Sequence, residues 1–195
     1  VEDSEEIEFF ELNLGISEKG KLKSYAKMKE DYLKVRTKST DELLIFTNSG
    51  FVYKVPVFMM KNILKKDMSI EQLIGKLEKE ERIIRIASIN SYDDDVCIYT
   101  FTKKGMVKKT FIKEYEGEFF KQTCHKFKND TDELVSVDID KSSLGYLIMV
   151  TKRGMAIRFP VENVNSMGKI ASGVTGISLK DDDEVIYGKY YSSYI

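Results

Sequence analysis

Apolar and polar positions alternate in short runs along most of this chain. The runs cover 9–17, 21–25, 42–47, 51–57, 82–89, 96–102, 106–111, 133–139, 144–151, 156–160, 173–178 and 184–191. They are rich in Val, Ile, Phe, Tyr and Thr and are bounded by Gly, Asn, Asp and Lys, which predicts strands. Only 69–77 reads as a helix, with Ser69 as cap and Gln72 as its capping-box partner. Gly75 weakens that reading and leaves a strand as the alternative. Pro56 and Pro160 each close the second strand of a hairpin, where a missing N–H removes no ladder bond.

One unit recurs: a β-branched strand, Ser or Thr, a basic turn ending in Gly, then a strand that carries positive charge. Its copies are Ile16-Ser17-Glu18-Lys19-Gly20-Lys21-Leu22-Lys23, Phe46-Thr47-Asn48-Ser49-Gly50-Phe51-Val52-Tyr53-Lys54, Phe101-Thr102-Lys103-Lys104-Gly105-Met106-Val107-Lys108-Lys109 and Val150-Thr151-Lys152-Arg153-Gly154-Met155-Ala156-Ile157-Arg158. The Gly answers a need for positive φ in the hairpin. A related strand ends each of the last three units, entered through an acidic turn at Glu81, Asp132 or Asp183. The later glycines lie about 50 residues apart, a period that points to propeller blades or a stacked array, since one such unit cannot bury its apolar face alone. The first interval is shorter: either the stretch between Tyr25 and Asp41 is truncated or a loop is missing there. The expectation is an all-β, propeller-like disk of about four blades, closed or open, with Gly20, Gly50, Gly105 and Gly154 in equivalent turns.

Charge sharpens this picture. The 195 residues carry a formal net charge of −1. Acids crowd residues 1–11, however, and without them the balance turns positive. Much of the remaining positive charge falls at fixed places around the repeat glycine. Lys104, Lys108, Lys109, Arg153 and Arg158 are therefore the first candidates for a belt that contacts a polyanion, with Lys19, Lys23 and Lys169 next. Nothing resembles a recognition helix or an aromatic platform for single strands, so the pattern suits duplex phosphate contact without base reading.

Catalytic chemistry finds little support. His125 is the only histidine, and with Cys97 and Cys124 it cannot make a zinc site of ordinary spacing. No two glycines are adjacent and no phosphate-cradling loop appears. The tyrosines sit mostly on alternating strand positions, which is packing. No metal or other cofactor is expected. Two cysteines in a chain of this size suggest a reducing compartment, and no stretch is apolar enough to span a membrane, so the cytoplasm is the expected location. The chain starts at Val1 without an initiator Met and reads as a fragment of a longer polypeptide.

These motifs resemble the C-terminal domain of the DNA-binding A chain of bacterial type IIA topoisomerases, gyrase and topoisomerase IV. The specific match is Met167-Gly168-Lys169-Ile170-Ala171-Ser172-Gly173-Val174-Thr175-Gly176-Ile177-Ser178-Leu179, followed by the acidic turn and Glu184-Val185-Ile186, and the family pattern can be followed over residues 12–187. The resemblance implies a β-pinwheel whose blades exchange strands, residues 1–195 forming a single non-catalytic domain. It implies double-stranded DNA as partner, bound on a basic outer edge. The further partners it implies are the ATPase subunit of the holoenzyme and the rest of its own subunit. That ATP-dependent holoenzyme changes DNA topology near the bacterial nucleoid. The catalytic tyrosine of such enzymes lies in another domain, so no tyrosine here takes that role. Gyrase members carry a basic double-glycine heptapeptide in the first blade; this chain has no Gly-Gly, and its look is closer to topoisomerase IV. A protein-binding propeller is the rival reading, but WD-type blades need Trp and kelch blades need paired glycines, and both are absent.

Overall fold

A computed structural model describes residues 6–27 and 32–192. Within them the four repeats become four small antiparallel sheets. The first contains β1 (Glu11–Ile16), β2 (Lys21–Tyr25) and β3 (Leu33–Lys38). The second contains β4 (Glu42–Thr47) and β5 (Phe51–Pro56), then β6 (Met68–Ser69), which leaves for another sheet, and β7 (Ile83–Ile89). The third repeat runs through β8 (Val96–Thr102), β9 (Met106–Phe111), β10 (Lys121–Thr123) and β11 (Leu134–Lys141). The fourth has β12 (Gly145–Thr151), β13 (Ala156–Pro160), β14 (Val174–Thr175) and β15 (Val185–Ser192).

Strand exchange organises the whole. The sheet orders are β3-β1-β2-β6, β10-β5-β4-β7, β11-β8-β9-β14 and β13-β12-β15. Each repeat after the first sends an arm back to complete the outer edge of the preceding sheet. The closing strands β3, β7, β11 and β15 lie on the inner side, tied by Thr37–Ser88 (2.8 Å), Gly188 N to Ser136 Oγ (3.0 Å) and Tyr190 N to Asp138 Oδ2 (2.8 Å).

The four repeat glycines do occupy equivalent turns. Their φ values are 79°, 82°, 96° and 85°, and each N–H bonds back to the carbonyl three residues earlier, on Ser17, Thr47, Thr102 or Thr151. The Ser or Thr is part of the same device: Ser17, Thr102 and Thr151 accept from the backbone N–H just past the glycine, on Lys21, Met106 and Met155. Thr47 instead donates to the buried Glu81 (2.7 Å).

Sheets stack face to face because successive side chains point to opposite faces. Leu43 and Ile45 join the core between the first and second sheets, while Leu44 and Phe46 join the core between the second and third. A third core, with Tyr99, Phe101, Leu147 and Met149, joins the last two. A strand buried on both faces has to be apolar throughout, and β4 is.

The structure also corrects the sequence reading. The short stretch between Tyr25 and Asp41 holds a strand that the sequence reading did not place, β3, the closing strand of its sheet. What the first repeat lacks is the donated arm, which the other repeats carry within 57–82, 112–133 and 161–184. The expected helix over 69–77 shrinks to one turn, Glu71–Ile74. Gln72 does reach back to the Ser69 N–H (2.9 Å). The run at 173–178 pairs only at Val174–Thr175. The donated strand β10 lies outside the expected runs and β6 meets the strand alternative for 69–77 only at Ser69, because two or three paired residues leave no legible alternation.

Candidate nucleic-acid interface

Two kinds of surface carry the cations. The first is the rim of repeat turns, where the acidic turns entering the closing strands fold against the basic hairpins. Asp132 accepts from the Lys104 N–H and Asp183 from the Arg153 N–H, both at 3.0 Å. Lys103 lies between Glu133 and Glu184, Lys152 pairs with Glu184, Arg82 with Glu133, and Arg153 with Asp182. These exposed pairs are individually weak, but they hold much of the rim charge close to neutral. The acidic runs are thus paired with neighbouring turns. Glu133 is held below the usual carboxylate range by the Asn48 amide and the Arg82 and Lys103 cations, which outweigh its partial burial.

The second surface is the outer edge made by the donated arms. Lys121 opens β10, with its ammonium over the rings of Phe51 (4.0 Å) and Tyr53 (5.5 Å). The arm of the fourth repeat lies alongside: Lys169 Nζ donates to Gln122 Oε1 (3.0 Å), and Lys126 N donates to the Ala171 carbonyl (3.3 Å). Among the described residues no carboxylate lies within ion-pairing distance of Lys121, Lys126 or Lys169. Phe120 and Ile170 are exposed beside them. This edge therefore offers unneutralised cations with apolar shoulders.

The eight expected contact residues divide sharply. Lys19, Lys104, Arg153 and Arg158 are exposed, and Lys23 and Lys169 are half-buried. Arg153 is spent on Asp182, and Arg158 stacks over the Tyr146 ring at 5.1 Å. Lys108 and Lys109, placed first on sequence, are only 1% and 7% exposed, and neither presents an ammonium to a phosphate. Lys108 Nζ donates to the carbonyls of Cys124 (2.6 Å), Gly168 (3.2 Å) and Lys169 (2.5 Å). Lys109 Nζ donates to the Ser142 carbonyl (2.6 Å). Lys54 does the same for the Tyr115 and Gly117 carbonyls. An exchanged arm arrives with carbonyls that have no ladder partner, and a buried ammonium satisfies several at once. These lysines clamp the arms and linkers between blades. Burial pushes the Lys108 ammonium down to about 8, so it remains mostly charged at neutral pH. Sequence reasoning missed Lys121 and Lys126, which stand in arms outside the repeat pattern.

His125 proves to be a core residue. Its Nδ1 bonds to Thr100 Oγ1 (2.9 Å), its ring stacks on Phe127, and burial, helped by the nearby Lys108 charge, pushes its pKa down to about 4. A histidine held neutral in the fold stabilises it above its ordinary pKa of 6.5 and loses that contribution as pH falls toward 4. The expected loss is about 3 kcal/mol, at roughly 1.36 kcal/mol per pKa unit. Melting curves from pH 7 to 4 should fall less steeply for His125→Gln than for the parent; parallel curves would rule the linkage out. Among the described residues no group of three or more His, Cys, Asp or Glu is arranged to hold a metal ion. No helix among them is long and apolar enough to cross a membrane.

Four small sheets stacked face to face, the first three completed to four strands by arms from the next repeat, define a strand-exchanging member of the β-propeller class. The family described as DNA gyrase C-terminal domain, beta-propeller, matches residues 41–58, 98–116 and 145–188. The topoisomerase 4 A protein of Bacillus subtilis is 34% identical over 154 residues, 77% of this chain and 19% of that protein. The DNA gyrase A protein of Clostridium acetobutylicum is 36% identical over 142 residues, 72% of this chain and 17% of that protein. The solved C-terminal domain of DNA topoisomerase IV superposes with a TM-score of 0.79 at 25% identity, covering 95% of this chain and 62% of that one. The DNA gyrase A C-terminal domain gives 0.67 at 20% identity, covering 92% and 64%. This chain belongs to the family of C-terminal domains of the gyrase and topoisomerase IV A proteins. It spans about a fifth of the length of the curated relatives it matches.

Proposed function

We propose that this domain binds duplex DNA along its outer edge through phosphate contacts and bends it without reading sequence. The observation that carries this is the contrast between the two basic surfaces: turn cations are largely paired with acids, whereas Lys121, Lys126 and Lys169 have no carboxylate partner among the described residues. Exposed Lys19 and Lys104 extend the surface toward the turns. The domain itself is non-catalytic. It acts as the DNA-steering part of a topoisomerase IV-like A protein in bacterial cytoplasm, working with the rest of that polypeptide and with its ATPase partner. Bending a 20–30 bp site costs roughly 1–6 kcal/mol, which the line of cations offsets.

Replacing Lys121, Lys126 and Lys169 together by Gln should lower the slope of log affinity against log salt by about 2–3, at about 0.9 per lost phosphate contact, equally for unrelated sequences. An unchanged slope would place the interface elsewhere. The absence of Gly-Gly in the chain favours bending over a wrap of fixed hand. Relaxed circular DNA bound by the domain and treated with a nicking-closing topoisomerase should therefore keep its linking number. A substantial positive shift would assign the domain to the gyrase type.

A further inference from the structure

The three exchanged arms share a register that fixes which of their residues are equivalent. Ser69, Thr123 and Thr175 each pair with the residue just past a repeat glycine, on Lys21, Phe51 and Met106. Five residues before that point stand Leu64 in the first arm and Ile170 in the last. The middle arm has Glu118 there and brings in Phe120 two residues later. Leu64, Phe120 and Ile170 lie open to solvent, at 52%, 57% and 69%. Each has a lysine beside it: Lys65 and Lys66 follow Leu64, Lys121 follows Phe120, and Lys169 precedes Ile170. Like Lys121 and Lys169, Lys65 and Lys66 have no carboxylate within ion-pairing distance among the described residues.

Single exposed apolar residues are ordinary on a protein surface. Three at related places in three arms, each beside an unneutralised cation, form a repeated arrangement. They are also held in place. Phe120 meets the Tyr53 ring edge to face, with centroids 6.0 Å apart. The carbonyls on either side of Ile170 are tied, that of Lys169 by Lys108 Nζ (2.5 Å) and that of Ala171 by Lys126 N (3.3 Å). Leu64 ends the 3₁₀ turn Val57–Leu64, which is closed by bonds from Lys65 N (3.0 Å) and Lys66 N (3.2 Å) to the Asn62 carbonyl. Side chains fixed in advance avoid the ordering cost that a flexible contact bears on binding.

We infer that Leu64, Phe120 and Ile170 select DNA over RNA duplexes by packing on deoxyribose faces, while the neighbouring lysines hold the flanking phosphates. The inference rests on the outer edge being the duplex-binding surface proposed above. A lysine beside an apolar side chain matches the alternation of anionic phosphate and sugar along a nucleic-acid strand. The C2′ of deoxyribose carries only hydrogen, so an apolar side chain covers it without burying a polar group. Ribose puts a hydroxyl there, and covering it without a hydrogen-bond partner is unfavourable. These contacts are uncharged, so they add affinity that salt does not screen, and they touch no base edge.

The test measures binding of the intact chain to a DNA duplex of about 30 bp and to the RNA duplex of the same sequence, over a range of salt. The parent should bind the DNA more tightly by about tenfold or more. Leu64→Ser, Phe120→Ser and Ile170→Ser together should weaken DNA binding by about tenfold, through the apolar area no longer buried, with the salt slope and the RNA affinity unchanged. Leu64→Met, Phe120→Leu and Ile170→Leu together should keep the preference for DNA, and melting curves report that both variants fold. Equal affinity of the parent for the two duplexes would overturn the inference without any variant. So would a serine variant that binds DNA as the parent does, which would leave these side chains to a partner protein, or one that loses DNA and RNA binding alike. A parent with no salt-sensitive DNA binding would overturn the duplex-edge reading itself, and this inference with it.

Discussion

Lys108→Met is expected to cost about 3–5 kcal/mol of folding stability while leaving the salt dependence of DNA binding unchanged. The side chain is fully buried, and its ammonium is shared by the carbonyls of Cys124, Gly168 and Lys169. Methionine fills a similar volume but donates nothing. Three carbonyls in the seam between the second and third sheets would then have to find water or stay unsatisfied, at about 1–3 kcal/mol for each group that stays so. Removing a buried charge relieves its desolvation, which offsets part of that cost. Chemical denaturation measures the loss. A phosphate contact would give the opposite pattern, with near-normal stability and a slope smaller by about 0.9. The variant thus separates an arm clamp from a DNA contact.

Gly105→Ala should destabilise by about 3–5 kcal/mol, and Gly154→Ala by only about 1–2. Both glycines have positive φ, 96° and 85°, where an L side chain costs about 1–2 kcal/mol. Only at Gly105 does the new methyl also collide with the Ile177 carbonyl, so the arm that completes the third sheet must lift away. That would undo the paired bonds from Gly176 and Ile177 to the Gly105 carbonyl and loosen the packing of Ile177 and Leu179 in the adjoining core. Hydrogen exchange should show the added loss concentrated in residues 173–179. Equal costs at the two positions would mean that the arm contributes little and that the turn alone explains the glycine.

Much of the site was hidden for an identifiable reason. On sequence, Lys108 and Lys109 have the same standing as Lys104: basic, at fixed places around the repeat glycine. Alternation says which face a side chain takes, not what covers that face. Both faces of the third sheet are covered, and the covering segments bring carbonyls from far along the chain, Ser142, Gly168 and Lys169. Lys121 and Lys126 went unnoticed because an arm that forms only two or three ladder pairs needs no periodic pattern.

The sequence alone determined the local units. Ser or Thr three residues before Gly sets a turn whose positive φ needs nothing beyond its own hairpin, and four such turns form as read, three of them with the hydroxyl also bonded inside the hairpin. The near-continuous apolar strand Leu43–Phe46 is buried on both faces. Only the tertiary structure decided which repeat completes which sheet, which lysines face carbonyls rather than solvent, and which acidic turns neutralise which basic ones. Those outcomes depend on contacts between residues well separated along the chain, from Arg153 with Asp182 to Arg82 with Glu133 and Lys108 with Gly168. Hydrogen bonds and charges act over a few ångströms of space, and separation along the chain does not reveal which groups will come that close.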